Sequence, residues 1–203
     1  DRNIVTPISG TTRDSIHTRY NKFGLDFYLV DTAGVRKKSK VHENIEFYSV
    51  MRSVRAIEYA DVCLLLIDAV EGVKSQDISI FGIAQRNHKG IVILVNKWDL
   101  VEKDTKSSAK FLEELQHRIA PFTDVPVIFT SALTKQRVLK ALETAVQVYQ
   151  DRSKKIQTSK LNDFLQEAVE SNPPPSVKGK FIRIKYATQL PNPTPIFAFY
   201  CNR

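Results

Sequence analysis

The chain has 203 residues, a formal net charge of +8, and 42% apolar and 26% charged residues. This composition excludes wholesale disorder, and no apolar run, residues 62–67 included, is long enough to cross a bilayer. Asp1-Arg2-Asn3 opens without a basic-then-apolar leader, and neither Cys63 nor Cys201 has a Cys or His neighbour at metal-ligand spacing, so a reducing, cytoplasmic setting is expected.

Residues 15–22 and 25–31 flank Phe23-Gly24 with strand-like patterning and predict a hairpin. Residues 34–44 are polar and basic and read as a loop. Over 45–59, Val50, Val54 and Ile57 recur at helical spacing, with Arg52 and Arg55 on another face. Residues 62–68 and 90–96 are continuous apolar runs of strand length, as parallel strands covered on both faces require. A helix over 76–87 is predicted between them. A helix over 109–119, a strand over 125–130 and a helix over 136–148 follow. The alternation of strand and helix predicts an α/β domain with a largely parallel sheet over residues 1–150.

The pattern then changes. Residues 151–157 are polar and read as a linker. A helix is predicted over 158–170, with Ser159 as its N-cap, ending at Asn172 and the prolines Pro173, Pro174 and Pro175. Alternation over 181–186 and 196–201 predicts two strands joined by a proline-rich loop. Residues 151–203 carry 9 basic against 4 acidic side chains, whereas residues 1–150 carry 21 against 18. A basic surplus concentrated in the short second unit fits either an ordinary solvated surface or a polyanionic partner such as RNA.

The most informative residues are Asn96-Lys97-Trp98-Asp99, directly after an apolar strand. Guanine presents an N1–H and an exocyclic amine side by side, and the Asp99 carboxylate can accept both in a charge-assisted pair that adenine cannot form. The Lys97 stem can cover a base face, and Asn96 can tie neighbouring loops together. The carboxyl ends of parallel strands are where α/β sheets bind ligands. Asp31-Thr32-Ala33-Gly34 ends the preceding strand. Asp31 there can hold the water shell of Mg²⁺, and Gly34 can bring a backbone N–H to a terminal phosphate; an ordinary strand-ending turn is the alternative. Upstream, Thr11 and Thr12 follow Gly10 in a polar stretch, where the Thr12 hydroxyl can ligate the metal when triphosphate is bound; a plain glycine turn is the alternative. Ser131-Ala132-Leu133 follows the last strand of the domain, where a backbone N–H can donate to guanine O6. None of the last three is specific alone; the order and spacing of all four make the case.

On these motifs residues 1–150 resemble a translation-factor-type GTPase domain from its first switch onward. The whole chain resembles the bacterial Der (EngA) family of ribosome-assembly GTPases. Asp31-Thr32-Ala33-Gly34-Val35-Arg36-Lys37-Lys38 and Tyr48-Ser49-Val50-Met51-Arg52 are similar to that family's second GTPase domain, and Ile184-Lys185-Tyr186-Ala187-Thr188-Gln189 to the opening of its KH-like domain. The resemblance implies a P-loop NTPase-type α/β fold over 1–150 and a partial, small α+β KH-like domain over 158–203. It implies GTP and GDP as ligands, Mg²⁺ as cofactor, and Thr12, Asp31 and Gly34 in the catalytic machinery. It further implies a preceding GTPase domain in the same polypeptide, and ribosomal RNA and the large ribosomal subunit as partners.

Three departures qualify that expectation. Gly-x-x-x-x-Gly-Lys-[Ser/Thr] is absent from these residues. In the family that loop and the first, central strand precede the position of Asp1. The chain is therefore expected to be an excerpt cut at both ends, with weak triphosphate affinity and poor folding on its own. Second, Val35 follows Asp-x-x-Gly where many small GTPases carry a water-orienting Gln. Slow intrinsic turnover is expected, with water positioned by backbone, a monovalent cation such as potassium, or a partner. Third, the second unit has no Gly-x-x-Gly loop, so a KH-type grip on single-stranded RNA is not supported. Arg36, Lys37, Lys38 and Lys40 in the loop after Asp-x-x-Gly, and Arg183 and Lys185 in the second unit, are candidate phosphate-backbone contacts or plain solvated charges. The competing reading of the whole is a non-catalytic RNA-binding or scaffolding fragment with a vestigial nucleotide site.

Overall fold

The structure is a computed structural model that describes residues 16–31, 54–102, 106–176, 179, 181–192 and 194–202. The chain divides into two compact units, Asp1–Tyr149 and Gln150–Arg203.

In the first unit β1 (Ile16–Lys22) and β2 (Leu25–Asp31) form an antiparallel hairpin in the register Lys22↔Leu25 to Ile16↔Asp31. Its two-residue turn needs positive φ at both central positions, and Phe23 (φ 55°) and Gly24 (φ 75°) supply it. Tyr20 stacks on Phe27 at 5.2 Å across the strands. Arg19 forks onto both carboxylate oxygens of Asp26 at 2.9 and 2.6 Å, and this bond holds Asp26 below the ordinary carboxylate range. Both side chains are exposed, so the pair adds little stability.

After the helical residues 54–59 (α1) the chain builds a three-stranded parallel sheet. Its order is β3 (Val62–Asp68), β4 (Gly90–Asn96), β5 (Val127–Phe129). β4 is the middle strand, and Ile91, Val92, Ile93, Leu94 and Val95 are all buried, which explains its unbroken apolar run. Alternate residues serve opposite faces. Leu65, Ile67, Ile91, Ile93 and Val95 pack with Phe81 and Ala84 of α2 (Ser75–Arg86) and with Leu115 and Ile119 of α3 (Ser107–Ile119). On the other face Val92 and Leu94 meet Ala141, Ala145 and Val148, spaced along one side of α4 (Val138–Ser153). Each fully buried aliphatic side chain stabilises this core by roughly 2 kcal/mol.

The second unit is α5 (Thr158–Ser171) against the antiparallel pair β6 (Ile184–Gln189) and β7 (Phe197–Cys201). Asn162 on α5 docks onto β6 through its side chain. Its Nδ2 donates to the Ala187 carbonyl and its Oδ1 accepts the Ala187 N–H, each at 2.8 Å. Gln189 closes the entry to the helix, accepting the Ile156 N–H at 2.8 Å and donating to the Lys154 carbonyl at 3.2 Å.

Several boundaries differ from the sequence expectation. α4 runs on to Ser153, through the first residues of the expected linker, because residues 149–153 contain no Gly or Pro to stop it. The strand expected over 125–130 is confined to Val127–Phe129. β6 begins at Ile184 rather than 181, because Asn202 occupies the partner position there. Its backbone N–H still donates to the Arg183 carbonyl at 3.0 Å, but its side chain accepts the Arg183 N–H at 2.6 Å and donates to the Phe181 carbonyl at 3.0 Å, so side-chain bonds take over where the ladder would continue. The N-cap of α5 is Gln157, not Ser159, and it makes no side-chain cap bond. Among the described residues no helix is long and apolar enough to cross a membrane.

Candidate functional site

The carboxyl ends of β3, β4 and β5 converge at one edge of the parallel sheet. Asp68 and Asn96 are register partners at the last positions of β3 and β4. The Ala69 N–H donates to the Asn96 carbonyl at 2.8 Å, which holds the first two strand ends together. The Thr130 N–H donates to the Val95 carbonyl at 2.8 Å, and the Trp98 N–H to the Thr130 carbonyl at 3.0 Å. The residues after β4 are thereby woven into those after β5.

Lys97 turns the chain at this edge with a left-handed backbone, φ 61° and ψ 30°. That conformation is uncommon for a residue with a side chain, and it is held from both sides. The Leu100 N–H closes onto the Lys97 carbonyl at 3.0 Å in a 3₁₀ turn over Trp98–Leu100. Trp98 is driven inward and buried, with its ring 4.3 Å from that of Phe129 and edge-on to Phe111 at 6.2 Å. Anchoring Trp98 leaves Asp99, the next residue, half-buried at the rim.

Asn96 is the link between the loops. Its Oδ1 accepts the backbone N–H of Ala132 at 3.0 Å. The receiving loop is itself braced: Ser131 is fully buried, its Oγ accepts the Thr134 N–H at 3.1 Å, and its own N–H donates to the Gln136 carbonyl at 3.3 Å. The Ser131 and Ala132 amides therefore both have protein acceptors. Ala132 and Leu133 are exposed, Leu133 at 84%.

One charged pair crosses the site. The Lys97 ammonium lies 2.6 Å from Asp68 Oδ2, with the lysine side chain 51% exposed and the carboxylate only 8%. Asp68 Oδ1 also accepts the N–H groups of Val70 at 3.0 Å and Glu71 at 3.4 Å. Burial pushes this carboxyl up, but the ammonium and the two amides outweigh it and hold Asp68 below the ordinary carboxylate range.

The six residues Asn96, Lys97, Asp99, Ser131, Ala132 and Leu133, predicted to read guanine, thus sit on two hydrogen-bonded loops at one sheet edge. Thr11, Thr12, Thr32, Ala33 and Gly34 lie outside the described residues, as do Arg36, Lys37, Lys38 and Lys40. Asp31 closes β2 through its backbone, and its side chain is outside the description. Arg183 and Lys185 are exposed, immediately before and within β6. Asp68 and Trp98 were not singled out from the sequence. Trp98 lies inside the Asn-Lys-x-Asp motif at its unspecified position. Asp68 ends an apolar strand run just as Asn96 does, and that parallel was the available signal. Among the described residues no cluster of three or more His, Cys, Asp or Glu is arranged to hold a metal.

Residues 155–203 match the family described as the KH-domain-like, C-terminal region of EngA bacterial GTPase enzymes. The chain is 62% identical over 202 residues to a protein named GTPase Der from Christiangramia forsetii, covering 100% of this chain and 46% of that protein. It is 60% identical to a GTPase Der from Flavobacterium psychrophilum with the same coverage. The chain thus spans about half the length of the curated relatives it matches. Among solved structures, Era in complex with MgGDPNP and nucleotides 1506–1542 of 16S ribosomal RNA superposes with a TM-score of 0.62 at 23% identity, over 71% of this chain and 47% of that one. At that identity the likeness carries the fold. Residues 8–151 match the family described as the elongation factor Tu GTP-binding domain, and with well over half its length so matched the chain belongs to that family.

Proposed function

We propose that these residues form part of a GTP-hydrolysing switch protein that acts on the ribosome, with the large subunit as its target. The observation that supports this best is the pair of loops bonded through Asn96 and Ala132, with Asp99 half-buried at the rim two residues beyond Lys97. In this reading Asp99 accepts the guanine N1–H and amine, and adenine, lacking that donor pair, leaves the carboxylate unpaired. Lys97 covers one face of the base. Asp31 and Thr12 are hard oxygen donors of the kind Mg²⁺ takes. The ion, when bound, neutralises charge building up on the phosphates. Gly34 brings a backbone N–H to the terminal phosphate. Val35 offers no hydrogen bond to a water, so intrinsic hydrolysis is slow and a partner or a monovalent cation such as potassium accelerates it.

Era, a structural neighbour, was solved with MgGDPNP and a piece of ribosomal RNA. For the present chain the corresponding proposal is RNA docking through Arg36, Lys37, Lys38 and Lys40, together with Arg183 and Lys185. The test is phosphate release from GTP by the full-length polypeptide carrying these residues, with and without large ribosomal subunits and with ATP as control. Slow release from GTP alone, stimulated by the subunits, is expected. A well-folded protein that releases no phosphate in either condition overturns the enzyme reading and leaves a scaffold.

A further inference from the structure

The Lys97–Asp68 contact has no role in the base-reading scheme. We propose that Asp68 is a positioning residue that holds the side chain of Lys97 in its base-covering conformation before nucleotide arrives. The proposal rests on the guanine reading of the site.

The two oxygens of Asp68 do different work. Oδ1 is fixed by the N–H groups of Val70 and Glu71 in the turn that follows β3. Oδ2 is left to meet the Lys97 ammonium at 2.6 Å. The carboxylate is nearly fully buried whereas the lysine is half exposed, so the fixed partner is the acid and the one being held is the base. Lysine carries its charge on a flexible stem with large rotamer freedom. Tethering its tip in the free protein removes the ordering cost from the binding step. The register supports the same direction. Asp68 pairs with Asn96, so the carboxylate stands one residue from Lys97 on the neighbouring strand end. Lys97 also keeps a left-handed backbone that a β-carbon disfavours, a local conformation that persists only where the surroundings over-determine it. Trp98 burial, the Thr130 bond and the Asp68 ion pair together do so.

The test is a double-mutant cycle in the full-length polypeptide, read as the dissociation constant for fluorescent GDP. The binding that Asp99→Asn removes defines the signal from this site. Asp68→Asn keeps an oxygen for the turn amides and loses the charge. Lys97→Met keeps an apolar stem and loses the ammonium. Asp68→Asn is expected to weaken GDP binding about 5- to 10-fold in the wild-type background and not at all in the Lys97→Met background. Asp68→Glu, which keeps a carboxylate for Lys97, is expected to stay within about twofold of wild type, and Asp68→Ser, which keeps an oxygen for the turn amides without the charge, takes the place of Asp68→Asn in the cycle should that variant fail to fold. Equal weakening by Asp68→Asn in both backgrounds, or by Asp68→Glu as much as by Asp68→Asn, overturns the positioning role. Wild-type protein with no signal removable by Asp99→Asn overturns the guanine reading itself, and the proposal with it.

Discussion

The side-chain oxygen of Asn96 accepts the backbone N–H of Ala132 at 3.0 Å, joining the end of β4 to the loop after β5 across 36 residues of chain. The bond makes two loops one unit, so a contact on either affects the other. It also gives the asparagine of the motif a concrete role, which is to hold the residues after β4 to the loop after β5.

Replacing Asn96 by Ala should therefore damage binding more than stability. Ala132 is exposed and water can replace the lost acceptor, so the cost in urea denaturation should be about 1 kcal/mol. GDP affinity should fall at least about tenfold, because the loops no longer share one geometry. Unchanged affinity in the folded variant would show that the link is dispensable.

Trp98 should behave as a structural anchor. It is buried against Phe129 and Phe111, and Trp98→Ala should cost about 3–5 kcal/mol in denaturant unfolding. Trp98→Phe keeps ring contacts and should cost clearly less. It is the only tryptophan in the chain and directly precedes Asp99, so its emission should change on GDP addition. Equal costs for the two substitutions would argue against the packing account.

Asp68 predicts a pH dependence with a definite sign. Its carboxyl is held below the ordinary value of about 3.9. A depressed acid contributes stability that is fully present above its unfolded-state value and is lost as pH falls through the folded one. Asp68→Asn should therefore be less stable than wild type at neutral pH, with the gap narrowing below about pH 4. Parallel stability curves for the two proteins down to strongly acidic pH would contradict the assignment.

In the second unit, Asn162 takes the place of a strand partner for the fully buried Ala187. Asn162→Ala leaves both the N–H and the carbonyl of Ala187 without that partner, at a cost of about 2–3 kcal/mol. Hydrogen exchange at the Ala187 amide should speed up in step with that loss. An exchange rate unaltered by the substitution would rule out this bond as the lock between α5 and β6.

Most of the parallel sheet was legible in the residues, because a strand buried on both faces must be apolar without interruption and β4 is. The turn at Phe23-Gly24 was legible for its φ requirement. That Asn96 and Ser131-Ala132-Leu133 end up at the same end of the sheet was legible because both follow apolar strand runs. Less could be read where long-range bonds decide. Alternation over 181–186 is real, yet Asn202 displaces the start of β6 by three residues, and no local pattern announces that. The extent of α4 past Tyr149 was hidden because polar residues without Gly or Pro suit a helix and a linker equally. The Asp68–Lys97 contact has no local signature, because it depends on the register of two strand ends 28 residues apart in sequence, from Asp68 to Asn96.

Recognition of guanine by Asp99 is tested by exchanging one group on the base. Xanthine carries a carbonyl where guanine carries its exocyclic amine, so an amide at position 99 can donate where the carboxylate accepted. Fluorescent GDP and its xanthosine counterpart should be titrated into the full-length polypeptide and its Asp99→Asn variant, with ATP as competitor. Asp99→Asn is expected to weaken the GDP signal of this site about 100-fold or more while strengthening the xanthosine one. Equal GDP affinity in both proteins would contradict that recognition.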